Sequence, residues 1–373
     1  LIVWIGIWSM VEPLHRQPLQ GTISWIHLPE IACQKNVHFR ARKVASHEVF
    51  GDGILHVAAE SHYALWINGV FVAIGPARGT RTCNYLDSHD IAALLNTGRN
   101  TIALEVFCGN HVTFTSSPAQ PAAFVQVGGI RTDESWQVQP GDDWRWDVPD
   151  YTMQIGAMEY RDLRKEPVGW QCCGDRGRWV PARVIEPDQP IYDKRLFLRD
   201  IKPLRTVTLR PKKVCVEATT PPLPPKLRED VQVAQYMTAE AVTRSSPGQL
   251  TERLPVGKDA TVSPPADGGG VAVIVDFARE FQGWGELELT APDGAIVDIG
   301  YDEAMEGDKL NVARHVYRFS DRYVLRQGRQ TIGNLLHRRG GRFIELVFRQ
   351  FDQPITVHRF VYHDQRYPID SPS

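Results

Sequence analysis

Carboxylates are the first residues in this sequence that could do chemistry. Hydrolysis of a glycosidic bond needs two carboxyl groups held about 5–10 Å apart. The densest acidic cluster in the last third of the chain is Asp302-Glu303 with the nearby Glu306. Neighbouring strand residues point to opposite faces, so Asp302 and Glu303 diverge unless they lie in a loop. We interpret the cluster as a solvated turn.

Three tryptophans form a second group of candidates. Trp136, Trp144 and Trp146 lie in the polar, Asp-rich stretch ESWQVQPGDDWRW. An exposed Trp beside Asp, Asn or Arg suits sugar binding, because its ring covers the apolar face of the sugar while polar groups meet the hydroxyls. Alternatively, the three rings fill the core of a β-sandwich or seal its ends. They are therefore candidate carbohydrate ligands with a structural alternative.

The segment MEYRDLR supplies the remaining candidates. Glu159 and Asp162, with Tyr160 between them, could hydrogen-bond a sugar or coordinate a cation. The alternative is a strand whose charged side chains pair with Arg161 or Arg164. Glu159 and Asp162 are included among the candidate carbohydrate ligands, and we favour the paired strand.

Signatures of other chemistries are missing from the sequence. It has no G-x-S-x-G elbow, Walker A loop, HExxH motif or dinucleotide fingerprint after a strand. It has no CxxC pair, no Cys/His cluster at zinc spacing and only scattered histidines. We therefore expect no catalytic residue, no metal site and no cofactor in this chain.

Composition restricts the partners. Lys+Arg number 42 against Asp+Glu 44, so no strong field draws the chain to nucleic acid or an anionic membrane, and a neutral ligand such as a sugar fits better. The 6 cysteines form no disulfide framework, and we expect reduced thiols. The apolar start LIVWIGIWSM has no basic region or cleavage site and is too short to span a membrane, so localisation stays open.

The elements that must position these residues are strands. Short alternating or β-branched runs separated by Gly, Pro, Asn and Asp predict an all-β chain. Asn68-Gly69 between two apolar runs predicts a hairpin with a type I′ turn. Short helical turns are predicted at 91–95 and 237–243. The strands predicted in the last third are 271–275, 286–290, 296–301, 322–325, 342–349 and 355–362.

The length of 373 residues favours two or three domains. A proline-rich stretch at 219–225 and a Pro/Gly-rich loop at 263–270 interrupt the strands. We therefore predict one β domain at 22–200, a connecting region at 201–268 and a second sandwich at 269–366.

Five longer segments carry more specific motifs. They are HYALWINGVFVAIGPARG (62–79), EYRDLRKEPVGW (159–170), DFAREFQGWGELEL (276–289), RYVLRQGRQ (322–330) and RRGGRFIELVF (338–348). In this order they resemble the N-terminal half of bacterial α-L-rhamnosidases. The resemblance implies a galactose-binding-like jelly roll followed by a larger, concanavalin-like β-sandwich, which in the family precede an (α/α)6 barrel with the catalytic carboxylates. Ala278 departs from the family's usual Gly.

The resemblance leads to a functional hypothesis. We expect an accessory β region of an α-L-rhamnosidase-like glycoside hydrolase that supports or shapes a site for rhamnose-containing glycan, is not catalytic by itself and lacks the C-terminal catalytic domain. The alternatives are a free-standing carbohydrate-binding β-sandwich protein and a purely structural role. An exposed apolar patch on the second sandwich would favour the accessory region over a self-contained binder.

Overall fold

The computed structural model describes residues 23–31, 34–80, 83–114, 118–172, 177–185, 195–228, 231–245 and 248–369. The interpretations of Leu1–Met10 and Cys173, and the predicted domain start at 22, lie outside these residues. Cys83, Cys108, Cys172 and Cys215 are free thiols. The prediction of an all-β chain is confirmed, because two large β structures account for most of the described residues.

The first β structure is a sandwich of two sheets, the predicted jelly roll. Apolar side chains from both sheets, such as Val57 and Leu104, meet in one core. The seven-stranded sheet contains β1 (Ile26–His27), β3 (Ile54–Glu60), β6 (Cys83–Asp90), β8 (Ala122–Val127), β9 (Ile130–Arg131), β15 (Arg183–Val184) and β16 (Arg195–Leu198). The six-stranded sheet contains β2 (Val37–Ser46), β4 (His62–Ile67), β5 (Val70–Gly75), β7 (Arg99–Cys108), β10 (Gln137–Pro140) and β14 (Val180–Pro181).

The predicted Asn-Gly hairpin is confirmed. Strands β4 and β5 pair antiparallel, and β4 ends at Ile67 while β5 begins at Val70. Between them Asn68 and Gly69 have φ values of 52° and 82°, as a type I′ turn requires. The Asn68 side chain accepts a hydrogen bond from the Thr101 N–H over 2.8 Å, which ties the turn to β7.

The second β structure is one eleven-stranded sheet that folds over a large apolar core. The first half of β21 (Gly270–Ala291) pairs with β18 (Lys213–Thr220) and β25 (Arg339–Arg349). Its second half pairs with β24 (Gly328–Ile332) and β26 (Ile355–Arg366). The register shifts between Asp276 and Phe281, where the strand bends. The strands are β13 (Tyr160–Asp162), β17 (Arg205–Leu209), β18 (Lys213–Thr220), β19 (Thr243–Arg244), β20 (Ala260–Val262), β21 (Gly270–Ala291), β22 (Ile296–Asp302), β23 (Ser320–Val324), β24 (Gly328–Ile332), β25 (Arg339–Arg349) and β26 (Ile355–Arg366).

The bend in β21 explains the departure at Ala278. Ala278 has φ of 60°, in the left-handed region that favours Gly. Its N–H donates to an Asp276 carboxylate oxygen over 2.6 Å, which holds the bend. The resemblance had placed a Gly at this position, and the backbone supplies the physical reason.

Little of the described chain is helical. The predicted turn at 91–95 contains a 3-10 helix. The predicted turn at 237–243 overlaps only the end of α1 and reaches Thr243, the first residue of β19. No helix in the described ranges is long and apolar enough to cross a membrane. The helices are α1 (Val233–Ala239), α2 (Gln249–Arg253) and the 3-10 helices Pro29–Ile31, His47–Phe50, Ala92–Leu94, Leu163–Lys165 and Pro225–Leu227. A separate two-stranded sheet contains β11 (Asp150–Thr152) and β12 (Gly156–Ala157).

The chain passes between the two β structures more than once. After β10 it enters the second one, where β13 pairs parallel with β23, and then returns to the first for β14, β15 and β16. The stretch 201–268, predicted as a connecting region, contains four strands, β17 to β20, that join the second sheet. The limits at 22–200, 201–268 and 269–366 stay a prediction.

Candidate functional site at the junction of the two sandwiches

Trp136 is a core residue of the first sandwich. Its side chain is fully buried among apolar side chains from both sheets. The indole Nε1–H donates to the Arg131 carbonyl oxygen over 2.9 Å. A ring without a solvent-facing surface cannot cover a sugar, so the prediction of carbohydrate binding is wrong for Trp136 and the core alternative applies.

Trp144 and Glu159 both line a narrow pocket between the two sandwiches. Trp146 borders this pocket, because its carbonyl oxygen accepts from the Asn36 amide over 3.3 Å. The residues around the pocket that bear on function are Asn36, His38, Trp144, Glu159, Tyr160 and His337.

The Trp144 ring is engaged by protein groups. It stacks on the His38 imidazole with ring centroids 4.0 Å apart and an interplanar angle of 5°. The Arg161 guanidinium lies 4.4 Å from the ring centroid, and the indole N–H donates to a Glu105 carboxylate oxygen over 2.8 Å. Trp144 therefore fixes the junction and leaves little ring surface for a ligand.

Glu159 is buried beside the second core. One carboxyl oxygen accepts from the Tyr323 hydroxyl over 2.5 Å, and the other has no hydrogen-bond partner. Burial, reinforced by the nearby charge of Asp321, raises the pKa of Glu159 well above its usual range. The raised pKa disfavours the ionised form of the carboxyl, which is the form that a nucleophile or a cation ligand needs.

Asp162 caps the 3-10 helix that follows β13. Its carboxylate accepts from the backbone N–H of Arg164 over 3.2 Å and from the Arg164 guanidinium over 2.8 Å at each oxygen. The pairing with Arg164 is the alternative that the sequence allowed. Asp162 thus holds the turn at the end of β13.

Buried ion pairs that sequence reasoning missed connect the two sandwiches. Asp143 accepts two hydrogen bonds of 2.8 Å from Arg40 on β2 and one of 2.9 Å from Arg161 on β13. Glu166 accepts from Arg161 over 2.6 Å and from Arg326 over 2.9 Å. Although burial acts to raise it, the two arginines hold the pKa of Asp143 well below its usual range. Asp143 and its two arginines therefore form a set of three charged groups that links β2 of the first sandwich to β13 of the second.

Trp146 differs from the other candidates because its side chain is 53% exposed. On either side of it in the chain, Arg145 and Asp147 form an ion pair, with Nε 2.8 Å from Oδ1. Hydrogen bonding to Arg145 lowers the pKa of Asp147, which keeps that carboxylate ionised as an acceptor. An exposed ring beside a charged donor and acceptor is the arrangement that suits a sugar.

A patch of exposed apolar side chains, the junction patch, lies near this site. The Phe114 N–H donates to the Met153 carbonyl over 3.1 Å, and the Gln154 amide lies 3.5 Å from the Tyr317 hydroxyl, so the three loops adjoin. Val112, for example, is 76% exposed. The patch contains Val112, Phe114, Met153, Ile155 and Val316.

The interpretation of the acidic cluster as a solvated turn fits Glu303 and Glu306 but not Asp302, which is the last residue of β22. Asp302 is buried and accepts from the Glu303 N–H over 2.7 Å and from the Arg314 guanidinium over 2.8 Å. Glu303 and Glu306 are exposed. Within the described parts of the chain no group of three His, Cys, Asp or Glu side chains is placed to hold a metal ion.

Comparison with known proteins shows which family model and which solved structures this chain resembles. Residues 269–363 match the family model of the bacterial alpha-L-rhamnosidase concanavalin-like domain. The GH78 family rhamnosidase of Bacillus sp. GL1 superposes with a TM-score of 0.77 at 18% identity, over 94% of this chain and 56% of that chain. No curated protein matches the sequence.

Two further α-L-rhamnosidase structures have the same fold. That of Dictyoglumus thermophilum superposes with a TM-score of 0.60 at 17% identity, over 94% of this chain and 36% of that one. That of Streptomyces avermitilis, complexed with L-rhamnose, superposes with a TM-score of 0.55 at 17% identity, over 87% of this chain and 29% of that one. This chain thus spans between about a third and just over half of their lengths.

The fold is therefore that of the β-sandwich part of α-L-rhamnosidases. Within it, residues 269–363 are the part that matches the model of the bacterial alpha-L-rhamnosidase concanavalin-like domain. The resemblance inferred from the motifs is confirmed.

Proposed function

We propose that this chain is an accessory β region of an α-L-rhamnosidase-like glycoside hydrolase. In this role it supports or shapes a carbohydrate site and is not catalytic by itself. The observation that carries the proposal is the superposition of 94% of the chain on 56% of the Bacillus rhamnosidase, together with the matched domain at 269–363.

The junction patch supports an accessory role. Large apolar side chains exposed on adjoining loops are typical of a surface that packs against another folded part. Here the loops that carry it come from both sandwiches, which makes it a composite surface. It extends beyond the second sandwich, where the sequence hypothesis had placed such a patch.

Trp146 is the residue that we propose contacts the glycan. It is the one sequence candidate with a largely exposed ring, and the Arg145–Asp147 pair offers a donor and an acceptor to hydroxyls. The Streptomyces relative was solved with L-rhamnose, so a rhamnose-containing glycan is the ligand to test first.

Calorimetric titration of L-rhamnose and of a rhamnose-containing oligosaccharide tests the sugar contact. Weak, saturable binding is expected, and Trp146→Ala should reduce the affinity at least about tenfold, in the range of a lost aromatic contact. Met153→Ala is the matched control, because it also removes an exposed apolar side chain and should leave binding unchanged. Equal titrations for wild type and Trp146→Ala would remove Trp146 from the site.

Hydrolysis of an aryl α-L-rhamnoside tests the non-catalytic assignment. No turnover above the blank is expected, because Glu159, Asp162 and Asp302 are each engaged by other side chains of the protein. Turnover at an enzyme-like rate that disappears in Glu159→Gln or Asp302→Asn would overturn the assignment. Tight glycan binding without turnover would favour the free-standing binder instead.

A further inference from the structure

Two buried histidines meet across the junction of the sandwiches. His38 lies on β2 of the first sandwich, and His337 lies in the turn that leads into β25 of the second. Their Nε2 atoms are 3.3 Å apart, and the two residues are 7% and 5% exposed. The turn is fixed by Asn334, whose amide donates to the His337 carbonyl oxygen over 2.8 Å. The contact is therefore built into both sandwiches.

Rings enclose this contact and leave little room for water. His38 stacks on Trp144 as described, and the Phe107 ring centroid lies 4.2 Å from that of His337 and 4.8 Å from that of His38. The Nδ1 atom of His38 is buried without a hydrogen-bond partner, 3.8 Å from a Glu105 oxygen. A charge placed on either imidazole would have no solvent to stabilise it.

The Nε2–Nε2 contact allows one proton between the two rings. One neutral imidazole donates Nε2–H and the other accepts with its lone pair. Protonation of the acceptor directs two N–H bonds at each other and removes the hydrogen bond. Proton binding by both rings is therefore incompatible with this geometry.

The surrounding charges do not favour an added proton. For His38 burial lowers the pKa well below its usual value, and Arg161 and Arg40 lower it further against the opposing effect of Asp143. For His337 burial again dominates, and Arg339 and His38 add to it. The charged and titratable groups that face the pair are Arg40, His62, Glu105, Asp143, Arg145, Glu159, Arg161 and Arg339.

We propose that the His38–His337 contact is a proton-sensitive joint, which holds the two sandwiches together when both imidazoles are neutral and loosens them in mild acid. The proposal does not depend on a role in carbohydrate recognition. It rests on the burial of both rings, their single shared proton and their origin in different sandwiches.

The sign of the effect follows from linkage. A histidine whose pKa is depressed in the closed state contributes stability that is present above its ordinary pKa of about 6.5 and is lost as the pH falls below that value. Glu105 and Glu159 act in the opposite direction, because burial raises the pKa of each. The contribution of the histidines to the pH dependence is therefore obtained by comparing the wild type with a variant that lacks one histidine and keeps both glutamates.

Hydrogen exchange on the full chain at about pH 7.5 and about pH 5, corrected for intrinsic rates, tests the proposal. Acid should reduce protection at 36–42 and 334–340 about tenfold or more, and leave 344–348 in the second core unchanged. His38→Gln and His337→Gln retain an amide but do not titrate, and each should remove most of the reduction. His56→Gln, on β3 away from the junction, should behave as wild type.

Two outcomes would overturn the proposal. One is equal protection at the junction at both pH values in the wild type, which needs no variant to fold. The other is the same loss in His38→Gln and His337→Gln as in wild type. If neither variant folds, histidine side-chain NMR of the wild type decides: the two junction signals must titrate below the ordinary value of about 6.5, together with the loss of protection.

Discussion

The interiors of the two sandwiches are equally buried and chemically different. The first is filled by apolar side chains such as Phe39, Leu104 and Trp136. The second adds fully buried arginines, among them Arg322 and Arg339. The first sandwich also has a fully buried arginine, Arg40, but it pairs with Asp143 at the junction and alternates along β2 with the residues that enter the apolar core. The first interior therefore depends on shape and apolar area, and the second depends also on whether every charge has its partner.

The charges around Asp298 in the second interior are closely paired. Asp298 accepts from Arg322 over 2.6 and 2.8 Å and from Arg349 over 2.9 Å, and Arg349 also pairs with Glu240. Removing one member of such a set leaves a charge in a medium that cannot solvate it. The second interior should thus be less tolerant of single polar-to-apolar changes than the first is of apolar ones.

The largest effect is expected for Asp321→Ala. Arg339 is fully buried and donates to Asp321 over 2.7 and 2.9 Å, so the substitution leaves the guanidinium without its counter-charge. We expect a loss of about 3–5 kcal/mol in the free energy of unfolding, measured by urea denaturation. Asp308→Ala, which breaks the exposed pair with Arg244, is the control and should change it by less than about 1 kcal/mol. Equal losses of stability in Asp321→Ala and Asp308→Ala would contradict the expected dependence of the second interior on its paired charges.

Trp136→Phe probes the apolar interior of the first sandwich. The smaller ring leaves a gap, and the Arg131 carbonyl loses its donor, so we expect a loss of about 1–3 kcal/mol by the same measurement. A loss of stability larger than that of Asp321→Ala would contradict the expectation that the second interior is less tolerant of substitution than the first. Trp146→Phe is the matched control at an exposed ring and should leave the stability unchanged.

Ala278→Gly should stabilise the chain. The first sandwich places Asn68-Gly69 at its positive-φ turn, whereas the bend of β21 in the second places Ala278 at φ of 60°. Glycine removes the steric strain of the Cβ atom and is expected to raise the free energy of unfolding by about 0.5–1 kcal/mol. Ala272→Gly, in the same strand outside the bend, should lower it. A loss of stability in Ala278→Gly would show that the bend carries no strain.

Trp146→Ala is expected to have the smallest effect on stability. The side chain makes its contacts at the surface, so the change should stay within about 0.5 kcal/mol. A larger loss by urea denaturation would mean that Trp146 supports the junction, which would also undercut its use as a sugar contact. This measurement separates a binding residue from a packing residue.

Sequence reasoning predicted the strands well because local patterns determine them. The Asn68-Gly69 turn and the wet-face alternation in β21 are visible within a few residues. Burial of charge is not visible in that way. Asp298 and Arg322 pair only because β22 and β23 are in register, and a charged side chain in a strand reads as solvent-exposed until its partner is known.

The tryptophans show the same limit at the candidate site. Trp136, Trp144 and Trp146 share one polar stretch, yet one is buried in a core, one is stacked at the junction and one is exposed. Alternation gives a direction for each side chain relative to its strand but not the identity of the neighbouring sheet. Contacts between His38 and His337, which lie far apart in the chain, depend wholly on how the sandwiches meet.

The parallel pairing of β13 with β23 has a consequence for synthesis. Tyr160–Asp162 leaves the ribosome long before Ser320–Val324, its partner in the sheet. The first sandwich also needs β16, which follows β13 in the chain, to complete its own edge beside β6. During synthesis β13 therefore stays without its parallel partner until β23 has been made, whereas the strands of the first sandwich are all available by β16.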